Sequence, residues 1–259
     1  MRRDIADCRA LVTGASGGIG RAIALELARQ GARLVVLARR EERLRTLSAE
    51  VAASGREIEC VTGDVADPAA RLQCLRRAEE RFGGLDALVN NAGIGAIGPF
   101  ADASPERLRQ VFEVNFFALA EMTRQALPLL DGGSKPIVVN LGSVLGHLAM
   151  PRSSEYCASK FAVRGLSQAL RMELRPRGID VLLVSPATTE SEFLDHLLEE
   201  RGGAAWRSKR ATPAEVVARR TVAAMRRGQR ELFPDFNSRI AQWAARLAPG
   251  WVERMVSRR

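Results

Sequence analysis

The stretch Arg9-Ala10-Leu11-Val12-Thr13-Gly14-Ala15-Ser16-Gly17-Gly18-Ile19-Gly20-Arg21 decides the fold. Its first five residues hold an apolar run without polar alternation, the pattern of a strand buried on both faces. Four glycines in the next seven residues let the backbone turn sharply, and a helical pattern follows from residue 20 to residue 30. A buried strand passing through a glycine turn into a helix is the opening unit of a parallel sheet covered by helices. The free amides at the start of that helix favour an anion, and glycine lets a pyrophosphate come close to the backbone. The spacing of Gly14, Gly18 and Gly20 is G-x-x-x-G-x-G, not the commoner G-x-G-x-x-G. A glycine-rich junction of this kind also serves as a plain tight turn. Its place at the first strand-helix junction favours nucleotide binding.

The alternation continues outward. Apolar runs at 33–38, 57–61, 87–90, 136–141 and 180–184 read as five further strands, and 231–233 as a seventh at an edge, ended by Pro234. Helical patterns lie between them at 41–54, 68–82, 104–130 and 153–175. Asp67-Pro68 and Ser104-Pro105 each place a capping residue before a proline at the first helical position. The expected architecture is α/β: a doubly wound parallel sheet of about seven strands with helices on both faces. No repeat, low-complexity linker or composition break appears before residue 200, so residues 1–259 form a single domain.

Composition agrees with that reading. A chain of 259 residues, 46% hydrophobic, with 22 glycines and 11 prolines, excludes a disordered tail, a collagen repeat or a disulfide scaffold. Cys8, Cys60, Cys74 and Cys157 lack the paired spacing of a zinc or redox motif, so no metal is expected and the thiols read as reduced, in a cytoplasmic protein. The charged start of the chain does not read as a signal peptide, and no apolar run approaches membrane-spanning length.

The net charge of +9 is uneven. Residues 201–259 carry 14 basic and 4 acidic side chains, a balance of +10, whereas the first 200 residues hold 25 basic and 26 acidic, a balance of −1. Only Lys135, Lys160 and Lys209 are lysines; the other 36 basic residues are arginines, a bias that a GC-rich coding sequence explains. With no helix-turn-helix, zinc-finger or aromatic RNA-binding signature beside the charge, no nucleic-acid partner is expected.

The second strand ends Leu37-Ala38-Arg39-Arg40. A carboxylate at that tip would accept bonds from adenosine ribose hydroxyls and repel a 2′-phosphate. An arginine stands there instead, and a guanidinium pairs with phosphate, so NADP(H) is favoured over NAD(H), with Arg39 as its contact. The bland alternative is that Arg39 and Arg40 begin a solvated, charge-rich helix.

Tyr156 and Lys160 stand four residues apart on the helical pattern at 153–175, on one face and about one turn, roughly 6 Å, apart. An ammonium beside a phenol is expected to lower the tyrosine pKa toward neutrality, as proton transfer requires. Tyr156 is the only tyrosine in the chain. Ser143 precedes the pair.

With these motifs in order, the chain resembles the short-chain dehydrogenase/reductase family from about residue 10 to about residue 193. The resemblance rests on Gly14, Gly18 and Gly20, on Gly63-Asp64-Val65, on Asn90-Asn91-Ala92-Gly93, on Asn115, and on Ser143 with Tyr156 and Lys160. It implies a Rossmann-type fold. It further implies that Tyr156 trades a proton with the substrate oxygen, Ser143 hydrogen-bonds that oxygen, and Lys160 holds the cofactor ribose and depresses the Tyr156 pKa. Asn115 would position a water linking Lys160 to solvent. Cofactor contacts are implied for Gly14, Ser16, Gly18, Ile19, Gly20, Arg39, Asp64, Val65, Asn91, Ala92, Gly93, Tyr156, Lys160, Pro186, Thr189 and Ser191. One motif departs from the family: Pro186 is followed by Ala187 where glycine is usual, and alanine is penalised if the position needs a positive φ.

The expected activity is therefore NADPH-dependent carbonyl reduction, or alcohol oxidation in reverse, on an apolar ketone or secondary alcohol of lipid, steroid or 3-oxoacyl type. The rival reading is a non-catalytic NADP(H)-binding sensor or scaffold. Residues 186–212 are the expected lid, with an apolar stripe at Phe193, Leu194, Leu197 and Leu198 and with Trp206 beyond it. The basic tail at 237–259, with Ile240, Trp243, Leu247, Trp251 and Met255 at helical spacing, fits a final packed helix or peripheral contact with an anionic membrane. It also offers a surface to an acidic carrier protein. The resemblance adds a homodimer or homotetramer built on the helices at 104–130 and 153–175.

Overall fold

The computed structural model describes residues 3–190, 193, 197, 198 and 211–257. Ser191, Leu194, His196, Trp206, Arg258 and Arg259 lie outside the described residues. Seven parallel strands form one sheet in the order β3-β2-β1-β4-β5-β6-β9. They are β1 (Arg9–Thr13), β2 (Arg33–Ala38), β3 (Ile58–Thr62), β4 (Ala87–Asn90), β5 (Ile137–Leu141), β6 (Asp180–Val184) and the edge strand β9 (Glu231–Leu232). The order reverses between β1 and β4, and such a switch point opens a crevice at the carboxyl ends of the strands.

Successive residues of each strand feed opposite faces. Val12, Val36, Val89 and Val139 pack with Ile23 and Leu27 of α1 (Gly18–Arg29), Leu44 and Leu47 of α2 (Glu41–Ala53) and Met225 of α7 (Ala214–Arg227). Leu11, Val35, Leu88 and Val138 pack with Leu75 of α3 (Pro68–Phe82) and Met122 of α5 (Ala118–Asp131) on the other face. The unbroken apolar runs of the sequence are the result of this two-sided burial. Asp67 and Ser104 accept the expected capping bonds, from the amides of Ala69 and Arg107.

The stretch expected as one helix at 104–130 is divided. It runs as α4 (Pro105–Phe112), a π turn at Glu113–Phe117, and α5. Asn115 sits in that π turn, where its buried carboxamide is drawn onto the backbone of Ile94. A side-chain bond of this kind offsets the poorer helical geometry, and helical periodicity alone does not reveal it. The helix α6 (Ser154–Glu173) is continuous. Two short parallel strands, β7 (Thr189–Glu190) and β8 (Thr212–Pro213), pair at the base of the expected lid. The tail forms two helices, α8 (Phe236–Leu247) and α9 (Pro249–Ser257), separated at Ala248.

Candidate active site

A cleft of about 640 Å³ lies over the carboxyl ends of the strands. Its walls include Gly14, Ser16, Gly18, Ile19, Arg39, Asp64, Val65, Asn91, Ala92 and Gly93 toward β1 and β2, and Ser143, Tyr156, Lys160, Pro186 and Thr189 toward β5 and β6. These are the residues that the sequence selected, with two exceptions within the described chain. Gly20 and Asn115 act from behind the wall.

The glycine turn is built by close approach. Gly14 has φ +68°, and a Cβ there would stand 2.8 Å from both Ala92 Cα and Asn91 Nδ2. At Gly20 it would stand 2.4 Å from the Gly14 carbonyl oxygen and 2.3 Å from Asn91 Nδ2, closer than any side chain tolerates. Asn91 explains the crowding: its carboxamide donates to the carbonyls of Thr13 at 3.0 Å and Gly14 at 3.1 Å. The Thr13 hydroxyl in turn accepts from the amides of Asn91 and Ala92. The motifs after β1 and β4 thus brace one another. What remains is a cradle with the start of α1 open toward the cleft, a shape that fits a pyrophosphate.

At the end of β2, Arg39 and Arg40 both line the cleft. Arg39 is largely exposed and stands 3.8 Å from the Asp64 carboxylate. Arg40 is half-buried and its Nε donates to the Ser16 hydroxyl at 3.2 Å. Sequence reasoning singled out Arg39 and left Arg40 aside. The signal for Arg40 lay in the serine of the glycine turn, which only the fold brings under it.

Farther along the cleft, Ser143 and Tyr156 are hydrogen-bonded to each other. Lys160 Nζ donates to the Leu141 carbonyl at 2.8 Å and lies 5.6 Å from the centre of the Tyr156 ring. The electrostatics differ from expectation. Burial pushes the Tyr156 phenol well above its usual range, and the Ser143 hydrogen bond opposes that only in part. Burial also pulls the Lys160 ammonium down to about 8. Desolvation is the leading influence on the phenol, and the downward shift expected from the neighbouring cation does not appear.

Asn115 is fully committed. Its Oδ1 accepts from the Ile94 amide at 2.8 Å, and its Nδ2 donates to the Ile94 carbonyl and the Ser159 hydroxyl, each at 3.0 Å. The carboxamide therefore ties the π turn to α6 and to the strand-end loop. The loop after β6 accepts alanine without strain, because Ala187 is not among the residues of positive φ and its amide donates to the Asp235 carboxylate at 3.2 Å. His147 is buried beside Ser185 and Phe233, and burial pulls its pKa down to about 4. Cys157 is buried in the core.

Above Ser143, Tyr156 and Lys160 the cleft is apolar. Phe193 packs against Tyr156 with ring centres 5.6 Å apart, and Leu197 lines the cleft beside it. Both close over Gly95, where a Cβ would come within 2.9 Å of each, and the Leu198 amide donates to the Gly95 carbonyl. Among the described residues no cluster of three His, Cys, Asp or Glu side chains stands ready for a metal ion.

Residues 9–202 match the family model described as short chain dehydrogenase. The chain belongs to the short-chain dehydrogenase/reductase family. This is a family of oxidoreductases. A bovine relative, dehydrogenase/reductase SDR family member 7B, is 35% identical over 192 residues, covering 72% of this chain and 59% of the relative. The chain thus spans less than two thirds of that relative's length. A short chain dehydrogenase of Burkholderia cenocepacia J2315 in complex with NADP is 32% identical, with a TM-score of 0.79 over 89% of this chain and 97% of that one. A short chain dehydrogenase/reductase of Burkholderia phymatum in complex with NAD is 27% identical, with a TM-score of 0.86 over 98% and 96%. A nicotinamide cofactor is common to these two family members, and they differ in which one they hold.

Proposed function

We propose that this short-chain dehydrogenase/reductase is an NADP(H)-dependent carbonyl reductase, and that its substrates are apolar ketones. The observation that carries the proposal is a single cleft joining the glycine cradle to the Ser143, Tyr156 and Lys160 side chains. Arg39 and Arg40 favour the phosphorylated cofactor, since two guanidiniums at the end of β2 offer charge-assisted bonds to a 2′-phosphate. Contacts to the cofactor are assigned to the wall residues named above, with Ser191 expected to join them.

When bound, the nicotinamide supplies the hydride that reduces the carbonyl carbon, or accepts it in the reverse direction. Ser143 Oγ and Tyr156 Oη point a hydrogen-bonding pair at the place where the carbonyl oxygen becomes negative. Tyr156 gives its proton to that oxygen as the C–O double bond becomes single, so the product leaves as an alcohol. Burial raises the phenol's pKa, so Tyr156 starts each reductive turnover protonated, and the Ser143 hydrogen bond works against that rise. Lys160 is assigned to the cofactor ribose, and its ammonium steadies the phenolate left behind. Asn115 acts as a positioning residue, holding α6 against the loop at Ile94.

The apolar roof of Phe193 and Leu197 supports a hydrophobic substrate. A 3-oxoacyl chain carried by an acidic carrier protein is a narrower form of the same chemistry. Exposed Phe117 on the π turn and Phe161 and Met172 on α6 support assembly of a homodimer or homotetramer through those helices. The test is NADPH oxidation with ketones and aldehydes of rising chain length, run beside Tyr156→Phe. The parent is expected to turn over the longer ketones, and the variant to lose on the order of 100- to 10,000-fold in rate while still binding NADPH. Equal rates would remove Tyr156 as the acid, and cofactor binding with no turnover of any carbonyl compound would favour the sensor reading.

A further inference from the structure

Six of the twelve large apolar side chains exposed among the described residues stand on the two C-terminal helices. They are Phe236, Ile240, Trp243 and Leu247 on α8 and Trp251 and Met255 on α9, each between 45% and 75% exposed. Scattered exposed hydrophobics are ordinary, whereas a continuous stripe marks an interaction surface. At about 100° per residue the four on α8 fall within an arc of roughly 60°. Arg239 and Arg246 run along one border of that arc, and Ser238, the only buried residue of α8, lies on the opposite side. On α9, Trp251 and Met255 stand one turn apart with Arg254 at the same border, and no residue of α9 is buried. The helices turn their apolar side away from the protein.

The start of α8 is fixed beside the cleft. Asp235 caps the helix by accepting from the Ser238 amide at 2.7 Å, and its other carboxylate oxygen accepts from the amide of Ala187. Ala187 lines the cleft, and α8 packs on the Val144–Gly146 turn that lines it too.

We propose that the outer face of α8 and α9 docks on an anionic lipid bilayer and so brings the mouth of the cleft to apolar carbonyl compounds dissolved there. The second half of this proposal rests on the reductase reading; the first does not. Charge selects the occupant. Residues 236–259 hold five arginines and one acidic side chain, so the rim of the stripe complements anionic headgroups. Two tryptophans beside those arginines suit the boundary between headgroups and acyl chains. A second copy docked symmetrically through this face would set Arg239 and Arg246 near their own counterparts, a repulsion that a bilayer avoids. None of the described helices is long and apolar enough to cross a membrane, so the contact is peripheral.

The test is flotation of the full chain with vesicles of equal parts phosphatidylglycerol and phosphatidylcholine, against phosphatidylcholine alone, at about 0.1 M salt. Binding to the anionic vesicles is expected to exceed binding to the neutral ones on the order of 100-fold, roughly fivefold for each of Arg239, Arg246 and Arg254. The double variant Trp243→Ser/Trp251→Ser should lose at least about tenfold in vesicle binding. The same variant should reduce a small water-soluble ketone at the parent rate and fall behind only with a long-chain ketone held in vesicles. No binding to anionic vesicles overturns the proposal, as does undiminished binding by the double variant. A parent dimer that this variant dissolves without any vesicle binding assigns the face to a second copy, and capture of an acidic protein partner without vesicle binding assigns it to that partner; either overturns the proposal. Normal flotation without reduction of any ketone sinks the reductase reading and the second half of the proposal with it, and leaves the lipid contact standing.

Discussion

Replacing Arg39 and Arg40 by alanine, singly and together, is expected to weaken NADPH binding while leaving NADH binding within about twofold. A charge-assisted hydrogen bond contributes roughly 1.5 to 3 kcal/mol, or about 10- to 150-fold in affinity. The two arginines do not enter on equal terms. Arg39 is largely solvated and already faces the Asp64 carboxylate at 3.8 Å, so its effect belongs at the low end, about tenfold. Arg40 is half-buried and oriented by the Ser16 hydroxyl, so less freedom is lost when it meets a phosphate, and its effect is placed at about 10- to 100-fold. The double variant is expected to lose several hundredfold, short of full additivity because the two residues are adjacent. Titration of each variant with NADPH and NADH, followed by nicotinamide fluorescence, measures both constants. An unchanged NADPH constant in the double variant, or an equal fall for NADH, would refute the phosphate assignment.

Lys160 is fully buried with its pKa down from 10.5 to about 8, which disfavours the folded state on the order of 3 kcal/mol while the group is charged in both states. Above pH 8 the folded protein loses that proton before the unfolded chain does, so this penalty is relieved as pH rises toward 10.5. The stability advantage of Lys160→Met over the parent should therefore shrink between about pH 7 and 9.5 in matched denaturant titrations; a constant gap contradicts the burial account. Arg107 on α4 donates from Nε and Nη2 to one oxygen of Glu155, with both side chains almost without solvent contact. Arg107→Met leaves that carboxylate buried and unpaired and should cost about 3 to 5 kcal/mol in urea unfolding, most of it regained in Arg107→Met/Glu155→Leu. At Gly20 a methyl group meets the Gly14 carbonyl, so Gly20→Ala should abolish detectable binding of either cofactor form by calorimetry. Retained affinity would show that the turn can open.

The strands were legible because two-sided burial writes itself as unbroken Val, Leu and Ile, and several strand boundaries agree to the residue. Tyr156 and Lys160 were legible because a spacing of four puts both on one face of α6, and Ser143 because the family resemblance singles it out. Other features depend on what the fold brings together from afar. The π turn at Asn115 exists because Ile94 accepts and donates across 21 residues. Arg40 gains its place from a serine 24 residues earlier. The cation beside Tyr156 is legible in the sequence, whereas the desolvation that acts on the phenol is not. Ala187 looked like a defect, yet its backbone runs where alanine is at ease. The tail was read as a stripe of apolar spacing, and only burial shows which way that stripe faces.

The short pairing of Thr189–Glu190 with Thr212–Pro213 has a consequence for how such a protein changes over time. The chain departs from the scaffold and rejoins it at adjacent points, as a cartridge enters a socket. The 21 residues between can be shortened, lengthened or rewritten while the sheet and Ser143, Tyr156 and Lys160 stay in place. On the reductase reading proposed above, new substrate preferences can thus arise by exchange at one place.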